Sequence, residues 1–136
     1  MNIILLSGGS GKRLWPLSND IRSKQFIKLF KDDNGNYESM VQRVYRQITT
    51  VNPMVKVTVA TSKNQVSVIK SQLGEKINIC VEPSRRDTFP AILLAAAYIH
   101  YELGIGVEEC IAVCPVDPYV DNDYYKCVGE LENLVE

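Results

Sequence analysis

The stretch that decides the fold is Asn2-Ile3-Ile4-Leu5-Leu6-Ser7-Gly8-Gly9-Ser10-Gly11-Lys12-Arg13-Leu14. Its first five residues form a short apolar run closed by a Ser-Gly-Gly turn, which is the pattern of a buried strand. Glycines after such a strand let backbone N–H groups approach an anion closely. Lys12 adds charge, and Arg13 adds a guanidinium fork that fits phosphate oxygens. Glycines alone read equally well as a flexible turn. Two common phosphate motifs do not fit. A Walker A loop needs an earlier glycine where Leu6 stands and Ser or Thr where Arg13 stands. A dinucleotide fingerprint aligned on Gly9 and Gly11 needs glycine at Leu14.

Outward from this loop, the spacing of apolar residues sets the remaining elements. Residues 8–31 show no clear period and read as a long functional loop. Val41, Val44, Tyr45 and Ile48 fall at helical spacing, with Ser39 as the cap. Residues 56–61 alternate and predict a strand. Val66, Ile69 and Leu73 predict a helix over 64–73 that Gly74 stops. A strand over 77–81 follows. A strongly apolar helix covers 90–103, with Asp87 or Thr88 as cap and Gly104 as stop. Residues 110–114 predict a strand that Pro115 ends. A last helix over 121–135 places Val128, Leu131 and Val135 on one face. Strands alternating with helices imply an α/β, Rossmann-like three-layer domain with a mostly parallel sheet. In such sheets ligands sit outside the carboxyl ends of the strands. Residues 7–13, 82–88 and 115–118 all follow strands directly and so converge there.

Composition narrows the function. The 136 residues are 46% hydrophobic, which predicts a globular domain. Fifteen Lys+Arg against sixteen Asp+Glu give no basic excess for nucleic acid and no charged tail. The first apolar run is too short for a signal peptide or a membrane span, so no membrane association is expected and a cytoplasmic location is. Cys80, Cys110, Cys114 and Cys127 form no C-x-x-C pair, and His100 is the one histidine, so reduced structural thiols are expected rather than a zinc site. His100 reads as a helix-surface or packed residue. Trp15 reads as packing the loop on the core.

With its continuation, the loop becomes specific. Gly8-Gly9-Ser10-Gly11-Lys12-Arg13-Leu14-Trp15-Pro16-Leu17-Ser18 resembles the G-G-x-G-x-R-L-x-P-L-S signature of the sugar-nucleotide pyrophosphorylases, in which this loop wraps a nucleoside triphosphate. Ser23-Lys24-Gln25-Phe26 resembles that family's lysine segment, and the S-K-Q-F form is similar to the mannose-1-phosphate guanylyltransferase branch. The resemblance implies an incomplete nucleotidyltransferase fold of glycosyltransferase-A-like type. It also implies that Leu6, Gly8, Gly9, Gly11, Lys12, Arg13 and Lys24 contact the nucleotide. Arg13 and Lys24 would hold the phosphates, because phosphate chemistry needs positioned cations. Taken alone, Lys24 reads as a solvated lysine.

Two further segments carry the same resemblance. Glu82-Pro83-Ser84-Arg85-Arg86-Asp87-Thr88-Phe89-Pro90-Ala91-Ile92 is similar to E-P-x-x-R-N-T-A-P-A-I, implying that Glu82, Pro83, Arg86, Asp87 and Thr88 lie along the nucleotide. A carboxylate at Glu82 can accept from both the N1–H and the exocyclic amine of guanine, which adenine does not offer. Its plainer reading is an ion pair with Arg85 or Arg86. Asp87 replaces the usual asparagine, losing amide donors and adding a repulsive charge. Phe89 replaces alanine. Cys114-Pro115-Val116-Asp117-Pro118 resembles P-A-D-H, whose aspartate binds Mg²⁺, so Asp117 is the candidate metal ligand. Pro118 stands where histidine is usual.

The reaction implied is attack by mannose 1-phosphate on the α-phosphorus of GTP, giving GDP-mannose and pyrophosphate, with Arg13, Lys24 and Asp117 as catalytic residues. Alternatives are another nucleotidylyltransferase acting on glucose 1-phosphate with dTTP or UTP, a catalytically inactive nucleotide-sensing homologue, and a plain interaction module. Residues 1–136 are expected to be the nucleotide-binding front of a longer domain, inactive alone. A homo-oligomer stays open.

Overall fold

The computed structural model describes residues 1–9, Pro16, Ser18 and 23–135. Among them the apolar run Asn2–Leu6 is β1, the central strand of a parallel sheet. It is flanked by β4 (Lys56–Ser62) on one side and β6 (Ile111–Pro115) on the other, and β5 (Asn78–Glu82) lies beyond β4. The order is β5-β4-β1-β6, with Leu5 opposite Val59 and Cys114. A central strand buried on both faces must be apolar throughout, and Ile3, Ile4 and Leu5 are at most 2% exposed. Each such side chain contributes about 1.5–3 kcal/mol.

Alternation sends successive residues to opposite faces. Ile3, Leu5, Val57, Val59 and Cys114 meet α1 (Met40–Val51), α2 (Val66–Leu73) and α4 (Asn122–Glu130). Ile4, Ala60 and Cys80 meet α3 (Thr88–Tyr101) on the other face. This gives the expected three layers. α3 is apolar almost all round, but only Ala91, Ala95 and Ile99 are buried, spaced i, i+4, i+8. Its two alanines allow a close approach to the sheet.

The caps explain several boundaries. Ser39 Oγ accepts from the Gln42 N–H, and Gln42 Oε1 accepts from the Ser39 N–H, a reciprocal capping box at α1. Asp121 caps α4 by accepting from the Asp123 and Tyr124 amides. Gly74 (φ 100°) and Gly104 (φ 67°) stop α2 and the α3 segment in backbone regions open to glycine. Asp87 occupies the N-cap position of α3 without capping it: at φ 64°, ψ −164° its side chain makes no hydrogen bond to the first turn.

The structure corrects three further expectations. The segment read as one loop over 8–31 ends in a hairpin, β2 (Phe30–Lys31) paired antiparallel with β3 (Tyr37–Glu38), and contains a 3₁₀ turn at Lys24–Phe26. Two-residue strands are too short to show alternation. The helix expected over 64–73 starts as a 3₁₀ turn at Lys63–Gln65. The last helix ends at Glu130 and tightens to 3₁₀ at Leu131–Leu134, so Val128 packs on the core while Leu131 and Val135 are exposed. Among the described residues no helix is long and apolar enough to cross a membrane.

Candidate functional site

Because the sheet is wholly parallel, the chain leaves β1, β5 and β6 along one edge, which brings the three motif segments together. The chain runs β1, β4, β5 outward and then returns to place β6 on the far side of β1. The strand order therefore reverses beside β1, where ligands of open α/β sheets bind.

A cavity of about 180 Å³ opens at this edge. Its walls are Leu6, Gly8, Gly9, Glu82, Arg85, Asp87, Thr88 and Ala91. An adjoining cavity of about 300 Å³ shares Gly8, Glu82 and Arg85 with it and extends to Ser23, Ser62, Asn64 and Gln65. Six residues expected at the nucleotide, namely Leu6, Gly8, Gly9, Glu82, Asp87 and Thr88, thus line one cavity. Pro83 and Arg86 are exposed and stand outside its lining, and Arg86 Nε donates to Ser84 Oγ at 3.3 Å. Arg85 is the arginine on the wall. Gly11, Lys12, Arg13 and Trp15 lie outside the described residues.

Gly8 and Glu82 touch without a side chain between them. A Cβ at Gly8 would sit 2.7 Å from Glu82 Oε1, so glycine there leaves room for the carboxylate. Among the described residues Glu82 has no ion pair; the Arg85 or Arg86 pairing does not form. Its side chain lines both cavities. Asp87 has the one positive φ among the described non-glycine residues. Its ψ places it in a region that is essentially glycine's alone, at a cost of about 1–3 kcal/mol.

Lys24 and Asp117 meet across the switch point, Nζ to Oδ2 at 3.3 Å, with side chains 27% and 52% exposed. The segment after Asp117 is fastened to α1. Arg43 Nη2 and Gln47 Nε2 donate to the Val120 carbonyl at 3.0 and 2.8 Å. The Arg43 guanidinium lies 4.6 Å from the Tyr119 ring centroid. Among the described residues no cluster of three or more His, Cys, Asp or Glu could cage a metal. Asp117 is a single half-exposed carboxylate already paired with a cation. That suits an ion held mainly by phosphates and water, which is how Mg²⁺ is usually bound.

The four cysteines are free. Burial pushes the Cys80 and Cys114 thiols up, with the Glu82 charge adding to the rise at Cys80, so both stay protonated and inert. His100 faces a loop rather than the site, its Nδ1 2.8 Å from the Ile105 carbonyl.

The model of the family described as nucleotidyl transferase matches residues 2–134. The chain belongs to the nucleotidyl transferase family. Among curated nucleotidyl transferase relatives, a putative mannose-1-phosphate guanylyltransferase of Vibrio cholerae is 34% identical over 96 residues, 68% of this chain and 20% of that protein. The alginate biosynthesis protein AlgA of Pseudomonas putida is 34% identical over 123 residues, 88% of this chain and 24% of its own length. A solved Thermus thermophilus structure, described as a mannose-1-phosphate geranyltransferase, superposes with a TM-score of 0.73 at 28% identity. It covers 95% of this chain and 36% of that one. The chain spans about a fifth to a quarter of the curated relatives it resembles.

Sequence reading of this nucleotidyl transferase missed the residues that brace the site. Gln25, quoted in the lysine segment but given no role, is 2% exposed and donates to the Ser7 and Gly9 carbonyls at 2.9 and 3.2 Å. Gln72 Nε2 holds the Phe26 carbonyl at 3.0 Å, fixing the turn that carries Lys24. A glutamine in a helix carries no signal for such long-range bonds. Only burial, visible in three dimensions, reveals them.

Proposed function

We propose that this chain supplies the nucleotide-binding part of a mannose-1-phosphate guanylyltransferase, acting in the cytoplasm on GTP and mannose 1-phosphate. One observation carries the reading. A glycine-walled cavity at the carboxyl ends of β1 and β5 is lined by the carboxylate Glu82, which has no ion pair among the described residues, and Lys24 and Asp117, which line neither cavity, pair at the same edge of the sheet. The names of the curated relatives support the choice of nucleotide and sugar.

In this reading the 180 Å³ cavity receives the nucleoside. Glu82 accepts from N1–H and the exocyclic amine of guanine, and Leu6 and Ala91 give the base an apolar wall. Gly8 and Gly9 bring the backbone close to the ribose and phosphates. Lys24 and Arg13 carry the positive charge. A phosphate oxygen of the sugar phosphate forms the new bond at the α-phosphorus, and the bond from that phosphorus to the bridging oxygen breaks and releases pyrophosphate. No enzyme nucleophile is needed, so catalysis consists of positioning and charge stabilisation. Asp117 would hold Mg²⁺, which when bound supplies positive charge beside the α-phosphate.

The test is thermal unfolding of the chain with GTP, ATP, UTP, CTP and dTTP, each with and without Mg²⁺. A ligand that binds the native state raises the melting temperature. The expected result is a rise with GTP that Mg²⁺ enlarges. An equal rise with every nucleotide refutes the guanine assignment, and no rise on a cooperative transition refutes the site.

A further inference from the structure

Thr61 is the penultimate residue of β4, its side chain is fully buried, and its hydroxyl donates to Gln65 Oε1 at 2.7 Å. Gln65, 8% exposed, turns its amide nitrogen the other way. That nitrogen donates to Ser23 Oγ at 3.1 Å and to the Gly9 carbonyl at 3.4 Å. The orientation is forced. A carbonyl can only accept, so the nitrogen must face Gly9 and the oxygen must face Thr61. One side chain therefore ties together two segments that are far apart in the chain: the glycine-rich loop after β1, and the segment leading into Lys24. Gly9's carbonyl takes a second amide from Gln25, at 3.2 Å. Carbonyl oxygens repel phosphate oxygens, so a loop that binds an anion must turn its carbonyls away and keep them there. A buried, satisfied network is suited to that task because breaking any member leaves a polar group unpaired.

We propose that Gln65, oriented by Thr61, is a positioning residue that couples the glycine-rich loop to the Lys24 segment, so that both face the nucleotide as one unit. The inference rests on the nucleotide-binding reading above. Gln65 belongs to none of the three motifs; it lines the adjoining cavity, but its amide is engaged by Thr61, Ser23 and Gly9, so it acts through the loop.

Gln65→Glu tests this at constant size. The Thr61 hydroxyl still finds an acceptor, but Gly9's carbonyl then faces a carboxylate instead of a donor. The expected result is Mg²⁺–GTP binding weakened by about tenfold, the worth of roughly one lost buried hydrogen bond. Thr61→Val should weaken binding similarly, and Thr61→Ser, which keeps the hydroxyl, should restore it. Hydrogen exchange of the Gly8, Gly9 and Lys24 amides gives a readout without any nucleotide. It should quicken at both segments in Gln65→Glu and in Thr61→Val while the amides of β1 stay protected. Binding within twofold of the original chain in both variants overturns the proposal. So does exchange that quickens everywhere in parallel with a lower melting temperature, or not at all. If the original chain binds no nucleotide, the parent reading fails, and the exchange experiment still decides whether the two segments are coupled.

Discussion

Replacing Gly8 by alanine separates recognition from stability. The new Cβ would lie 2.7 Å from Glu82 Oε1, against an ordinary contact of 3.4 Å or more, so the carboxylate must retreat by roughly 0.7 Å. Glu82 is half-buried and the clashing atom is the far end of its side chain, so a change of rotamer suffices, at about 0.5–1.5 kcal/mol. The φ of Gly8 is not in the left-handed region, so alanine fits the backbone and recovers about 0.4–1 kcal/mol from the unfolded state. The two terms nearly cancel, and the melting temperature should move by less than about 5 °C. Recognition fares differently. Hydrogen bonds of about 2.9 Å lengthened by that retreat pass beyond bonding distance. Leaving guanine's donors unpaired costs about 1–3 kcal/mol, or roughly ten- to a hundredfold in affinity. The assay is calorimetric binding of GTP and of ATP to both forms. The ratio of GTP to ATP affinity should collapse in Gly8→Ala and equally in Glu82→Gln. If both nucleotides weaken together, the methyl group merely obstructs the cavity. If the preference survives, Glu82 does not read the base. Either result refutes the reasoning.

Three further outcomes are expected. Lys24→Met should shift the melting temperature by under about 3 °C, since exposed ion pairs contribute 0–1 kcal/mol, while weakening Mg²⁺–GTP binding about tenfold; unchanged binding in a titration removes Lys24 from the site. Asp87→Gly relieves a backbone conformation worth about 1–3 kcal/mol and gives back up to about 1 kcal/mol in unfolded-state entropy, so calorimetry should record a melting temperature a few degrees higher; a lower one shows that the conformation is not strained. Asp32 accepts from the Asn34 and Asn36 amides in the hairpin turn, and the Asn36 backbone N–H is the main cause holding its carboxyl below the ordinary value of 3.8. A lowered pKa stabilises the turn above that ordinary value and is lost as pH falls through the lowered one. The Asn34 and Asn36 amide resonances should therefore move only below pH 3.8, and movement near neutrality contradicts the assignment.

The fold was legible because its signals are local. The run Asn2–Leu6 admits one reading, Ser39 three residues before Gln42 marks a helix start, and Gly74 and Gly104 mark stops. Where local signals are thin, the reading slipped. The hairpin strands have two residues each, and their turn is set by Asp32 side-chain bonds rather than by any alternating pattern. Asp87 sits where a cap belongs, but it has a positive φ that sequence does not encode and its side chain makes no cap hydrogen bond. The convergence of the three strand-end segments was legible, since a parallel sheet ends β1, β5 and β6 along one edge. The support beneath it was not. Gln25, Gln65, Gln72 and Arg43 act across gaps of 16 to 77 residues through bonds to backbone carbonyls, and such bonds leave no spacing rule in the chain.

The pairing of Lys24 with Asp117 shows why a weak bond is the right one at this place. The two groups come from segments 93 residues apart, and the switch point brings them within 3.3 Å. With side chains 27% and 52% exposed, they remain solvated, so the pair contributes little to the fold. A buried pair would be costly to break, because separating it strands a desolvated charge. A solvated one can exchange partners at small cost. In the proposed function each member meets the opposite charge on a single ligand: the ammonium meets phosphate oxygens, and the carboxylate meets the cation those phosphates carry. The ligand therefore replaces one ion pair with two, and it does so at residues whose backbones are already fixed. Gln72 holds the Phe26 carbonyl, and Arg43 with Gln47 holds that of Val120. Rigid supports under exchangeable charges keep the geometry constant while the electrostatic partner changes, which is what positioning a triphosphate for in-line attack requires.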